Sequence, residues 1–202
     1  MDNTLDDSAP VAEPTGGIST SLVAFSHLGI TLFMLGLFTA TNNWAVNSGQ
    51  PLAALVSVAT GLLAGAITTT LVHEWFHYAG ALTARGSYHR TKRLNLFAFD
   101  WDFQRNGRGQ FLVMSYAGTL GSAVAIALLW LAFSADSPGG VALLAAAFGS
   151  LGFAGAIEWP VLARVHAGGD PLAELSKISG QVLLLSAATG LLTPLVAAWL
   201  LS

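Results

Sequence analysis

Cysteine is absent from the 202 residues, and charge is scarce: Asp, Glu, Lys and Arg together make up 9% of the chain. The first absence excludes a disulfide framework and any thiolate metal site. The second excludes an ordinary water-facing surface, because soluble domains carry about 25% charged residues. Only eight residues are Lys or Arg and the formal net charge is −3, which leaves no basic face for nucleic acid. What takes the place of charge is apolar surface. Hydrophobic residues fill 53% of positions and the mean hydropathy is +0.62. Length alone allows one or two small domains; this composition predicts one integral membrane domain.

A hydrocarbon core of about 30 Å needs roughly 20 apolar residues in a helix. Uncharged runs of that size occur at 21–40, 52–72, 111–133, 141–163 and 182–201, the fourth interrupted only by Glu158. The second run lacks Lys and Arg as far as Ala84, so its helix is expected to outlast the bilayer. Gly and Pro inside such runs are tolerated in membrane helices. The pattern predicts an all-α bundle of about five spans.

Residues 1–20 hold Asp2, Asp6, Asp7 and Glu13 and no basic residue. They lack the positive region of a signal peptide and read as a disordered acidic tail ahead of a single membrane domain over 21–202. The basic residues are one-sided. Arg85, Arg90, Lys92, Arg93, Arg105 and Arg108 fall between spans two and three, and Arg164 and Lys177 between spans four and five. The positive-inside tendency predicts a multi-pass protein, in the cell membrane, with those loops and the N-terminus cytoplasmic and the C-terminus on the opposite side.

Near the end of span two stands His73-Glu74-Trp75-Phe76-His77, a His-Glu-x-x-His. On a helix, residues four apart share a face, so two imidazoles can hold one zinc ion. Glu74, beside His73, can then take a proton from metal-bound water without being a ligand. The plainer alternative is a polar helix end at the interface. Three ionisable groups near bilayer depth are expensive without a partner, however, and a metal is the simplest partner.

Zinc hydrolases supply three protein ligands and leave a fourth position to water. Without cysteine the third must be His, Asp or Glu. Asp170, in Gly168-Gly169-Asp170-Pro171, follows span four on the same side as His77 and is the expected third ligand. Its alternative role is a helix N-cap with proline at the first helical position. Glu158 comes next, because an acid inside a span is functional by default, and His166 third. His27 reads as a hydrogen-bonded interhelical histidine and His89 as a loop residue. Between spans two and three, Phe97, Phe99, Trp101 and Phe103 alternate with Ala98, Asp100 and Asp102. Period-two alternation predicts a strand that dips into the membrane interface and exposes an edge to a second extended segment or, in the plainer reading, an amphipathic loop anchored by aromatics.

Over roughly residues 52–175 these features resemble the site-2 protease family of intramembrane zinc metalloproteases. His73-Glu74-x-x-His77 resembles the family's zinc helix, and Leu94-Asn95-Leu96-Phe97-Ala98-Phe99 its β-hairpin. Ser115-Tyr116-Ala117-Gly118 is similar to its Ala-Gly-Pro segment, with Thr119 in place of the proline. The resemblance implies His73 and His77 as ligands, Glu74 as catalytic base and Asp170 in the place of the family's Leu-Asp-Gly aspartate. The chain departs from the pattern there: its glycines precede Asp170, Pro171 follows, and the upstream Asn-Pro is missing. No PDZ or CBS module is seen.

The expected function is therefore that of a divergent, minimal zinc metalloendopeptidase. It would hydrolyse peptide bonds of transmembrane protein substrates among membrane lipids, by zinc-activated water and a glutamate base. The alternative is a non-enzymatic metal-binding scaffold or transporter subunit. Histidine-box di-iron oxygenases need more than the five histidines present, and no Ser/His pair suggests a serine intramembrane protease.

Overall fold

The computed structural model describes residues 16–201, so residues 1–15 of the expected acidic tail lie outside the described residues. The end of that segment joins the fold. The Ile18 amide donates to the Thr91 carbonyl at 2.9 Å, and Ser19 caps the first helix by accepting from the Leu22 amide.

Five long apolar helices form the protein: α1 (Thr20–Ser48), α2 (Pro51–Thr83), α3 (Arg108–Ala132), α4 (Pro138–His166) and, after the short α5 (Pro171–Leu175), α6 (Gly180–Leu201). Each of the five is long and apolar enough to cross a membrane, as a multi-pass membrane protein requires. The helices outrun the charge-free windows because caps, not charges, end them. Gly49 closes α1 in the left-handed conformation, at φ 63°, and Pro51 opens α2, the usual placement of glycine after and proline at the start of helices. With about 1.5 Å per residue, α2 is about 50 Å long.

Helix α2 is the centre of the bundle, packed on α1, α3 and α4, while α6 lies outermost against α4. Small residues let α2 and α4 touch. A Cβ at Gly61 would strike the Gly139 carbonyl, and one at Gly65 the Leu143 carbonyl. Lipid provides no hydrophobic drive between helices, so close backbone approach and interhelical hydrogen bonds carry the packing. Such bonds join Thr70 to Ser150 at 2.8 Å, and Asn42 to Ser57 and Ser137 at 2.9 and 2.8 Å. Met34, Phe38, Leu143 and Leu144 fill one core cluster. Phe99, Phe111, Met114 and Val161 fill a second at the Lys/Arg-rich end.

Between α2 and α3, strands β1 (Tyr88–His89) and β2 (Asp100–Trp101) pair antiparallel, Tyr88 opposite Trp101 and His89 opposite Asp100. The extended segment is shorter than its alternation predicts because a side-chain turn closes it at each end. Asn95 Oδ1 accepts from the Phe97 amide, and Asp102 Oδ1 accepts from the amides of Gln104 and Arg105. Such turns offer the backbone an alternative to a ladder. Tyr78, Tyr88, Phe99 and Trp101 stack in a chain of edge-on and tilted contacts, which seats the hairpin on α2.

Candidate metal centre

His73 and His77 lie one turn apart on α2, ring centroids 4.4 Å apart and planes at 87°. Their Nε2 atoms approach to 2.9 Å. Helix α3 supports both rings from behind. The Ser122 hydroxyl is 2.9 Å from His73 Nδ1, and His77 Nδ1–H donates to the Met114 carbonyl at 2.9 Å. A carbonyl only accepts, so neutral His77 keeps its proton on Nδ1 and turns an Nε2 lone pair inward. Serine can accept or donate, so it serves His73 in either tautomer. Gly118 makes room, since a Cβ there would collide with the His77 ring.

Glu158, from α4, brings its Oε1 to 2.9 Å from His73 Nε2 and 3.3 Å from His77 Nε2. Its Oε2 is buried without a hydrogen-bond partner. Three potential ligand atoms thus form a triangle with edges of 2.9, 2.9 and 3.3 Å. Ligands at 2.0–2.2 Å around a tetrahedral zinc lie about 3.3–3.6 Å apart, so a small opening of this triangle accommodates the ion. An inward lone pair on His77 and a second imidazole nitrogen, beside a carboxylate with one oxygen unpartnered, fit a cation. Glu74 stands next to His73, and the potential ligand atoms of His73, Glu74 and His77 all lie within 4.8 Å of one another, a group that could hold a metal ion. Glu74 also lines, with His77 and Glu158, a cavity of ≈400 Å³ roofed by Phe97, Phe99 and Trp101.

Asp170, the expected third ligand, is not brought to the histidines. It is the N-cap of α5, its Oδ1 accepting from the Ala173 amide at 2.8 Å, and it lines a different cavity from them. The reason is depth. His73 is ten residues from the end of α2 and Glu158 eight from the end of α4, about 15 and 12 Å into the bundle from the same side. Asp170 comes only after α4 has ended and Gly168, at φ 114°, has turned the chain. His166 is exposed in the last turn of α4. His27 bridges two elements, its Nδ1 accepting from Trp75 Nε1 at 3.1 Å and its Nε2–H donating to the Asn95 carbonyl at 2.8 Å. His89 lies on β1, mostly exposed, 3.3 Å from Asp102 Oδ2.

Sequence reasoning missed Ser122 and the Met114 carbonyl altogether. One is a common small residue of membrane helices and the other is backbone, so neither carries a signal in the sequence. Comparison with known proteins gives no match: no family model, no curated protein and no solved structure aligns with the chain.

Proposed function

We propose that the chain is an intramembrane zinc metalloprotease in which His73, His77 and Glu158 hold the metal and Glu74 is the general base. The observation that carries this reading is the meeting of two imidazole nitrogens and a carboxylate oxygen within 3.3 Å of one another. An ion pair would account for Glu158 beside one histidine. Paired with both, as the distances allow, Glu158 still has its second carboxylate oxygen unpartnered. Imidazole with a single carboxylate favours zinc over magnesium or calcium, which take oxygen shells. The reading keeps the chemistry implied by the site-2 protease resemblance and departs from it in the third ligand, a glutamate on α4.

Bound there, zinc would supply the Lewis acidity that brings the pKa of a water to about 7. The chain supplies the rest. Ser122 and the Met114 carbonyl fix the two rings, as outer partners of metal-binding histidines do. Glu74 accepts the proton and returns it to the departing amide nitrogen, the double duty of a general base and acid. The substrate is a membrane protein segment that lies extended beside the site, because helical hydrogen bonds mask the scissile bond. Exposed Leu94, Leu96 and Phe97 give the hairpin loop an apolar edge suited to such a segment within lipid.

The test is metal content and cleavage of a membrane protein substrate by purified variants. Wild type is expected to hold close to one zinc per chain, and His73→Ala and Glu158→Gln to lose it. Glu74→Gln should keep zinc and lose on the order of 10² to 10⁴ in rate. A non-enzymatic scaffold would instead tolerate Glu74→Gln. Zinc retained in Glu158→Gln but lost in Asp170→Ala would return the third ligand to Asp170.

A further inference from the structure

Three cavities meet at the side chain of Phe103. The first, ≈390 Å³, lies at the Lys/Arg-rich end and is lined by Asn106, Arg108 and Asp170. The second is the ≈400 Å³ cavity of Glu74, His77 and Glu158. The third, ≈160 Å³, runs between α3 and α4 and also reaches His77 and Glu158. Phe103 lines all three, and among the described residues no other side chain does so.

The backbone on either side of this ring is held. Asn106 Nδ2 donates to the Asp102 carbonyl at 2.8 Å and to the Ser87 carbonyl at 2.6 Å, and its Oδ1 accepts from the Ser87 amide at 2.7 Å. The Asp102 carboxylate takes the amides of Gln104 and Arg105 at 3.0 and 3.1 Å. The ring itself is half-buried and meets Phe111 in a tilted contact, centroids 6.2 Å apart. A phenyl group on a fixed backbone, with space on several sides, can change rotamer without moving the chain. The ring also packs against the second core cluster, so its rotamer changes are slower than those of a fully exposed side chain.

His73 is 4% exposed, and hydrolysis at its depth needs a route for water. We propose that the Phe103 side chain is the gate between the Lys/Arg-rich aqueous end and the His73–His77–Glu158 centre. In one rotamer its ring divides the polar outer cavity from the two inner ones, and in another it joins them. Its use in admitting water for hydrolysis rests on the metalloprotease reading; the gate itself is a property of the chain and can be measured without metal or substrate.

The absence of cysteine provides the assay. In the full chain in lipid vesicles, Met114→Cys places one thiol on both inner cavities and leaves the backbone carbonyl that His77 uses. A cationic methanethiosulfonate reagent, barred from the bilayer, reports access from water. If the ring closes the passage about nine-tenths of the time, Phe103→Ala should raise the labelling rate about tenfold, and Phe103→Trp should lower it. A cysteine at Ala147, fully buried in the other core cluster, should stay unlabelled in every background. Equal rates at Met114→Cys with Phe, Ala or Trp at 103 would overturn the gate. So would parallel labelling of the Ala147 cysteine in Phe103→Ala, which would mean general loosening. Gated labelling in a chain that holds no zinc would keep the gate and remove the proposed function, and ungated labelling in an active zinc enzyme would do the reverse.

Discussion

At the scale of residues, the Ser122 hydroxyl is the polar side chain that steadies His73 at Nδ1. Ser122→Ala leaves that nitrogen without its partner inside the bundle while keeping nearly the same volume. Zinc affinity, read by competition with a chelator, is expected to fall by about 10- to 100-fold, together with about 1–3 kcal/mol of stability for the nitrogen left unpartnered. Asp170→Ala is expected to behave differently. It removes the cap of α5, at a cost of about 1 kcal/mol, and leaves zinc binding as it was. The histidine pair and Glu74 were legible in the sequence because one turn of helix fixes their relation. That Glu158 and not Asp170 meets the histidines turns on depth along two packed helices. Two side chains that meet must lie at matching distances from the shared end of the bundle, a condition that Glu158 fulfils and a residue beyond the end of α4 does not.

At the scale of elements, the spans were legible because only long uncharged runs can satisfy their backbone in lipid. What the sequence understated was their length, which caps and turn prolines set, and what it overstated was β2, cut short by the Asn95 and Asp102 turns. Two elements invite tests. Gly65 presses α2 against the Leu143 carbonyl of α4, and this contact holds His73 opposite Glu158. Gly65→Val must push the helices apart, so thermal stability should drop by about 1–3 kcal/mol and zinc should be lost with it. The second is the clasp on α5. Glu174 takes Lys177 Nζ and Arg164 Nε, each at 2.6 Å, and the Lys177 bond first, then that of Arg164, holds its carboxyl below the usual carboxylate range. A depressed folded pKa stabilises above the ordinary value of 4.5, and the contribution is lost as pH falls through the lowered value. Melting curves of wild type should therefore lose stability on acidification below about pH 4.5 more steeply than those of Glu174→Gln, which lacks the titrating group.

At the scale of the whole molecule, sidedness ties the chemistry to the membrane. All eight Lys and Arg residues lie in the α2–α3 connection, the first turn of α3, the last turn of α4 or the α5–α6 connection, which an up-and-down bundle brings to one end. The opposite end, formed by the α1–α2 and α3–α4 turns, has none. If all five helices cross, the odd number predicts termini on opposite sides, and the positive-inside tendency predicts that the charged end faces the cytoplasm. The side chains of His73 and Glu158 lie about 12–15 Å along their helices from that end, and Phe103 and the polar cavity beyond it lie on the same side. Reporter fusions check the arrangement. A reporter after Arg90 or Lys177 is expected to read cytoplasm, and one between Asn42 and Gln50 or at the C-terminus the far side. A cytoplasmic C-terminus would require an even number of crossings, most simply with α6 lying on the surface. Because α6 is the most exposed of the five long helices and packs mainly on α4, that result would leave the metal centre in place and remove only the fifth crossing. A far-side reading after Arg90 would be more damaging, since it would invert α2 and put the gate and the carboxylates at the wrong surface for cytoplasmic water.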